Sequence, residues 1–120
     1  MWKNLVPKLV RQRVIVEGTT AKAINPKQIK DYLSKLAKVT KMEVIHGPHT
    51  YSADAHGWAG GWAGYVHWKT SGAQFYGYTS NPPLFTVDCY TCKPFNVKKM
   101  VAFTKKYFSA KEIVWKEVKV

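Results

Sequence analysis

The sequence predicts an α+β fold, a two-layer sandwich in which two helices cover one face of an antiparallel sheet. Two segments repeat apolar residues with helical spacing, and short segments rich in β-branched and aromatic residues fill most of the remaining chain. The predicted order is β-α-β-β-β-β-α-β. The chain has 120 residues, 46% hydrophobic and 22% charged, so we expect a single domain over residues 1–120.

The first predicted strand runs from Arg13 to Glu17, which is short and rich in β-branched residues. A helix then begins at Asn25-Pro26, because asparagine caps helices and proline fits their first turn. Its apolar stripe has spacing i, i+3, i+4, i+7 and i+8 and consists of Ile29, Tyr32, Leu33, Leu36 and Ala37. Met42 to His46 is predicted to form the second strand.

His49 to Gly64 has no clean period and is predicted to be a loop. Two strands follow, Gly64 to Lys69 and Ala73 to Tyr78, around a turn predicted at Ser71-Gly72. Asn81-Pro82-Pro83 interrupts the chain before a strand from Leu84 to Thr91.

Asn96 is predicted to cap the second helix. The apolar stripe of this helix consists of Val97, Met100, Val101, Thr104, Tyr107 and Phe108. Ile113 to Val118 forms the last predicted strand.

Nineteen basic and seven acidic residues give a net charge of +12. Many lysines lie on the two predicted helices, which is typical of solvated helix faces and disfavours a nucleic-acid partner, although the net charge leaves nucleic-acid binding open as an alternative. No segment is as apolar as a membrane span, the first seven residues do not resemble a secretory signal, and two cysteines are too few for a disulfide scaffold. We therefore expect a cytoplasmic protein with no membrane association.

Cys89 and Cys92 have C-x-x-C spacing, but in a strand they point to opposite faces, so we expect no metal. Cys89 is expected to be a small buried residue, and Cys92 is the better candidate for a functional site. Four histidines flank the predicted loop and could serve in acid–base chemistry or be structural: His46, His49, His56 and His67.

Aromatic residues concentrate in the weakly charged centre of the chain. Two interpretations remain open for them, a core or subunit interface and a stacking site for a base such as adenine. The residues concerned are Trp58, Trp62, Tyr65, Trp68, Phe75, Tyr76 and Tyr78.

The run from Leu84 to Val97 resembles the prokaryotic S-adenosylmethionine decarboxylases, in which a strand ending V-D-V-F-(T/S)-C precedes a short loop and a helix. Tyr107 to Ile113 is similar to the end of those proteins, and Val14 to Leu36 fits their layout. The resemblance spans about residues 12 to 118 and implies an α+β sandwich with an antiparallel sheet.

Activity in that family depends on a pyruvoyl group, made when the chain cleaves itself at a serine that follows a glutamate and precedes a histidine. The matching positions here are Lys69 or Thr70 for the glutamate, Gly72 or Ser71 for the serine, Tyr76 or Gly77 for the histidine, and Cys92 for the family's cysteine. Because glycine has no side-chain oxygen to attack its own carbonyl, we expect an uncleaved chain without a cofactor.

Phage S-adenosylmethionine lyases resemble trimmed decarboxylases without pyruvoyl and form methylthioadenosine and homoserine lactone. Resemblance to this branch implies a carbon–sulfur lyase with S-adenosylmethionine as its ligand, a homo-oligomer with a trimer favoured over a dimer, and, in a phage protein, an anti-restriction role in the host cytoplasm. Two alternatives remain: a decarboxylase self-processed at Ser71, and a non-catalytic ligand-binding or regulatory homologue.

The resemblance implies a site along residues 68–78, closed by Cys92 and a loop from His46 to His56. The expected catalytic residues are Lys69, Ser71 and Cys92, where Lys69 replaces an acidic residue of the lyases and either faces outward or holds the substrate carboxylate. The expected substrate-binding residues are Trp68, Thr70, Gln74, Tyr76, Tyr78, His46, His49 and His56.

Overall fold

The computed structural model describes residues 1–52 and 60–120. Over these residues the elements are β1 (Gln12–Thr19), α1 (Pro26–Val39), β2 (Val44–Ser52), β3 (Gly61–Trp68), β4 (Ser71–Tyr78), β5 (Leu84–Thr91), α2 (Val97–Phe108) and β6 (Glu112–Val118). The described strands form one six-stranded antiparallel sheet in the order β2-β3-β4-β5-β1-β6, and both helices pack on one of its faces. The predicted fold class and element order are confirmed.

The helices form where their caps and apolar stripes predict them. The Asn25 side chain accepts a hydrogen bond from the Gln28 backbone N–H at 2.9 Å, and the Gln28 side chain accepts one from the Asn25 N–H at 3.0 Å. Asn96 caps α2 in the same way, through the Lys99 N–H. All five predicted stripe residues of α1 are buried against the sheet.

The predicted loop from His49 to Gly64 is partly wrong, because β2 continues to Ser52 and β3 begins at Gly61. Register shifts on both sides of His46 make β2 irregular, and as an edge strand it tolerates Pro48. These irregularities remove the alternation by which a strand is predicted. Residues 53–59 of the predicted loop lie outside the described part of the chain.

The β3–β4 turn is also displaced from its predicted place. Trp68 pairs with Ser71, so the turn is formed by Lys69 and Thr70 rather than by Ser71 and Gly72. Gly72 lies within β4 rather than in the turn. Glycine suits this position because a Cβ atom there would lie 2.9 Å from the Val66 carbonyl oxygen.

The other face of the sheet has no helix against it in the described structure, and we call it the open face. Strand alternation assigns to it the side chains that lie between the buried core positions. They include Arg13, Ile15 and Glu17 of β1, Tyr65 and His67 of β3, Gln74, Tyr76 and Tyr78 of β4, Thr86, Asp88 and Tyr90 of β5, and Val114, Lys116 and Val118 of β6.

Neither of the helices found in the described residues has the length and apolar character needed to cross a membrane.

Candidate active site

The β3–β4 turn meets the end of β5 at three side chains, Thr70, Ser71 and Cys92, which we call the hairpin cluster. The Thr70 Oγ1 lies 2.6 Å from the Cys92 Sγ. The Ser71 Oγ accepts a hydrogen bond from the Cys92 backbone N–H at 3.0 Å. The turn therefore holds two hydroxyl groups against one thiol.

The two cysteines have opposite environments. Hydrogen bonds from the hydroxyl of Thr70, and after it from that of Ser71, hold the pKa of the Cys92 thiol below its ordinary value, because they favour the thiolate. Burial raises the pKa of the Cys89 thiol to about 12. Cys92 is therefore the more accessible and more readily ionised of the two thiols, whereas the Cys89 side chain belongs to the core.

A groove of about 460 Å³ opens on the open face beside the hairpin cluster. We call it the open-face groove; its polar lining is Arg13, His67, Ser71, Gln74, Asp88 and Tyr90, and Ile15 and Val118 contribute apolar wall. Ser71 thus belongs to both the groove and the hairpin cluster. The groove combines one carboxylate, one guanidinium and one phenol ring, a set that can bind a charged ligand carrying an aromatic base.

Register places the charged groups of the groove side by side. Arg13 is the cross-strand partner of Tyr90, and its guanidinium carbon lies 4.4 Å from the centre of the Tyr90 ring. Asp88 lies between Ile15 on β1 and Gln74 on β4.

Aromatic rings of β2 and β3 flank the groove and form a cluster of His46, His49, Tyr65 and His67. The His46 and His49 ring centres are 4.8 Å apart, and the His46 Nε2 lies 3.2 Å from the Tyr65 Oη. His67, which lines the groove, lies 6.0 Å from His46, measured between ring centres.

The predicted substrate-binding residues divide into groups. Gln74 lines the groove, whereas Tyr76 and Tyr78 lie on the open face beyond its lining. His46 and His49 lie on the edge strand β2, so the expectation that they belong to a closing loop is wrong. His56 lies outside the described residues.

Trp68 is not positioned to bind substrate. It is 1% exposed and packs in the core on the helix-covered face, because alternation along β3 places it on the same face as Val66. Lys69, in the turn, is exposed and lies outside the groove lining; its backbone N–H donates to the Glu43 carbonyl at 2.9 Å. Of the two orientations expected for Lys69, the outward one is observed.

Sequence reasoning did not assign Arg13, Asp88 or Tyr90 to the site. The alternation along β1 could have indicated Arg13, because burial of Val14 and Val16 places Arg13 and Ile15 on the opposite face of the sheet. What the sequence could not supply was the pairing of β1 with β5, which brings these residues together.

Comparison with known proteins agrees with the fold. The S-adenosylmethionine decarboxylase family matches residues 12–119, so the chain belongs to this family, whose members are enzymes. The crystal structure of the adenosylmethionine decarboxylase from Aquifex aeolicus VF5 superposes with a TM-score of 0.68 at 17% sequence identity, covering 92% of this chain and 89% of that one. A comparison with curated proteins found no match.

The residues at the hairpin do not fit the pyruvoyl group that this family implies. A side chain at position 72 would approach the Val66 carbonyl, so the backbone is not shaped for a serine there. Ser71 has a hydroxyl, but within the described residues no carboxylate or imidazole is hydrogen-bonded to it. The positions expected for the family's glutamate hold Lys69 and Thr70.

Proposed function

We propose that this protein is an S-adenosylmethionine lyase that works without a pyruvoyl group. The observation that carries the proposal is the hairpin itself, which retains Ser71 and Cys92 beside a groove but has Gly72 where a side chain has no room. Such an activity removes a cell's methyl donor, which supports an anti-restriction role in a phage.

The reaction needs no electron sink. An oxygen of the substrate carboxylate attacks the γ-carbon of the methionine moiety, the new C–O bond closes homoserine lactone, and the C–S bond breaks. Its electron pair goes to sulfur, which leaves as the neutral thioether of methylthioadenosine. No proton is transferred, so the protein has to fold the substrate into an attack geometry and limit its contact with water.

The open-face groove supplies groups for that task. Ile15 and Val118 form apolar wall, and Gln74 and Ser71 present polar side chains for the amine and carboxylate of the substrate. Tyr90 offers a ring for adenine. Lys69, outside the lining, is not placed to repel the sulfonium.

The products of labelled S-adenosylmethionine test the proposal. We expect methylthioadenosine and homoserine lactone, from a chain whose intact mass remains that of all 120 residues. Release of carbon dioxide, together with cleavage next to Ser71, would instead identify a pyruvoyl decarboxylase. Binding without turnover would identify a non-catalytic homologue.

A Ser71→Ala variant distinguishes a lyase from a self-processing decarboxylase. In a lyase the hydroxyl only contacts substrate, so we expect affinity for S-adenosylmethionine to fall about tenfold while turnover persists. A self-processing enzyme would lose all activity, because the cleavage step needs that oxygen. Gln74→Ala is the matched control, with a similar loss of affinity expected in either case.

We also propose that the protein is a homo-oligomer, a trimer in preference to a dimer, with the open face at the subunit interface. Apolar side chains exposed on this face support the proposal: Ile15 is 37%, Val114 63% and Val118 39% exposed. A second copy placed there would also cover the groove.

A further inference from the structure

We infer that Asp88 is the residue that selects a cationic ligand in the open-face groove, by pairing with the positive sulfur of a sulfonium or with an ammonium at the same place. The inference rests on the proposed function and deepens it, because it assigns the recognition of charge to a strand outside the hairpin. The expected acidic residue is replaced by Lys69 in the hairpin, and β5 supplies a carboxylate instead.

The first support is that Asp88 has an exposed carboxylate without a partner. In residues 1–52 and 60–120 it forms no hydrogen bond and no ion pair. In the described part of the chain Glu17, Glu43 and Glu112 also have no ion pair, but of these unpaired carboxylates Asp88 is the one that lines the open-face groove, where a bound cation can reach it. Asp31, by contrast, is paired with Lys35 at 2.9 Å.

The second support is the position of Arg13, the cation that shares the groove with Asp88. Arg13 and Asp88 are diagonal neighbours across β1 and β5, within the reach of a long side chain. The guanidinium nevertheless lies over the Tyr90 ring, 4.4 Å from its centre. The groove therefore contains a carboxylate that no cation neutralises and, beside it, a guanidinium that can donate hydrogen bonds to a ligand carboxylate.

The third support is the neutral surroundings of Asp88 along the strand pairs. Its cross-strand partners are Ile15 and Gln74, neither of which carries charge. Gln74 can donate to a ligand without neutralising Asp88, and Ile15 offers contact to an apolar methyl group. An S-methyl sulfonium combines a positive charge with such a methyl group.

Two ligands that the enzyme cannot cleave test the inference by calorimetry. Sinefungin carries an ammonium in place of the sulfonium, and S-adenosylhomocysteine carries a neutral thioether. We expect the protein to bind sinefungin about fivefold more tightly than S-adenosylhomocysteine. In Asp88→Asn, which keeps the shape of the side chain, the two affinities should become equal through weaker binding of sinefungin.

Glu17→Gln is the matched control, because it removes the same charge from the same face of the sheet without touching the groove lining. It should leave the preference for sinefungin intact, which also separates Asp88 from a general effect of net charge. Thermal unfolding of both variants verifies that they fold.

The outcomes distinguish this inference from the proposed function. Cleavage of S-adenosylmethionine with an unchanged ligand preference in Asp88→Asn would overturn the inference alone. Equal affinities of the unaltered protein for the two ligands would also overturn it. Failure to bind either ligand, together with failure to cleave S-adenosylmethionine, would overturn the proposed function and the inference with it.

Discussion

Thr70 adopts an unusual backbone conformation for a β-branched residue, with a φ of 66°. Holding a non-glycine residue in this backbone conformation costs on the order of 1–3 kcal/mol of folding free energy, so contacts in the surrounding structure must maintain it. Here the cost accompanies a specific contact, the approach of the Thr70 hydroxyl to the Cys92 sulfur. The turn is thus tied to the end of the neighbouring strand through one side chain.

That contact predicts how Cys92 reacts. In Thr70→Ala the hydroxyl that stabilises the thiolate is lost, so the pKa of Cys92 rises. The pH profile of alkylation by iodoacetamide should therefore move to higher pH, and the rate below its midpoint should fall. Mass spectrometry of samples quenched over a pH series measures the shift.

Thr70→Ser retains the hydroxyl and serves as the control, with a profile close to that of the unaltered protein. Native protein should take up a single alkyl group, because Cys89 is 2% exposed. Rapid modification of both cysteines, or an unchanged profile in Thr70→Ala, would contradict the environment described for Cys92.

At this scale the sequence predicts Ser71, Gln74 and Cys92 as site residues, because they lie close together along the chain or belong to a recognisable motif. The structure has Ser71 and Gln74 in the groove lining and Cys92 in the hairpin cluster. Sequence reasoning could not find the pairing of Arg13 with Tyr90, because these residues are far apart in sequence and only the register of β1 on β5 makes them neighbours. It misassigned Trp68, because aromatic composition does not say which face of a strand an aromatic residue occupies.

Among the structural elements, α1 and α2 are joined by a hydrogen bond inside the core. The Tyr32 Oη and the Thr104 Oγ1 are 2.7 Å apart, and the Thr104 hydroxyl also donates to the Met100 carbonyl at 2.9 Å. Since a hydroxyl has one proton, Tyr32 is the donor and Thr104 the acceptor. Burial raises the pKa of Tyr32, so this proton is retained.

Tyr32→Phe removes the donor and leaves the ring in place. We expect the free energy of unfolding to fall by about 1–2 kcal/mol, because a buried hydroxyl of Thr104 loses one of its partners. Urea denaturation followed by circular dichroism measures the change.

Tyr107→Phe is the matched control. It removes a hydroxyl that donates to Asp31 at 2.6 Å on the exposed side of the helix layer, where water can replace it. The loss of stability should be smaller than in Tyr32→Phe. An equal loss of unfolding free energy in the two variants would mean that the buried hydrogen bond contributes no more to stability than the exposed one.

The helices were more predictable than the central strands for a physical reason. A helix is coded locally, by caps such as Asn25 and by an apolar stripe within a few turns. The β2–β3 pair depends on partners elsewhere, and its sequence signal is broken by Pro48, by the register shifts in β2 and by Gly61, whose φ is 144°. The edge position of β2 makes such irregularity tolerable but hides the strand.

At the scale of the whole molecule, many of the lysines lie on the helix layer, away from the site, although the groove itself contains Arg13. Eight exposed lysines lie on the two helices: Lys27, Lys30, Lys35, Lys38, Lys98, Lys99, Lys105 and Lys106. The open face, on the other side of the sheet, carries few charges and several exposed apolar side chains. This segregation favours self-association through the open face, with the lysine-rich layer left outside.

Light scattering should therefore report about three times the 13.7 kDa of a single chain. In Val114→Lys a charge replaces an apolar side chain that is 63% exposed on the open face, so this variant should dissociate into monomers while remaining folded. A 13.7 kDa species for the unaltered protein at micromolar concentration would contradict the proposed oligomer.

Ile45→Lys provides the control. Ile45 is equally exposed, at 63%, but lies on β2 at the opposite edge of the sheet from β6. Its substitution should leave the oligomer intact. Dissociation of both variants would show that added charge, rather than the location of Val114, determines the result.

The position of β1 in the sheet has a consequence for how the protein is made. β1 lies between β5 and β6, although it precedes both by most of the chain, with Val16 facing Val87 on one side and Trp115 on the other. During translation β2 to β5 can pair with their neighbours as they emerge from the ribosome. Both edges of β1 remain unpaired until β5 and then β6 have been synthesised, and this long-range pairing is slow. The groove between β1 and β5, whose wall includes Val118 of β6, is therefore among the last features of the nascent protein to form, and a ligand meets the complete groove only after synthesis has passed β6.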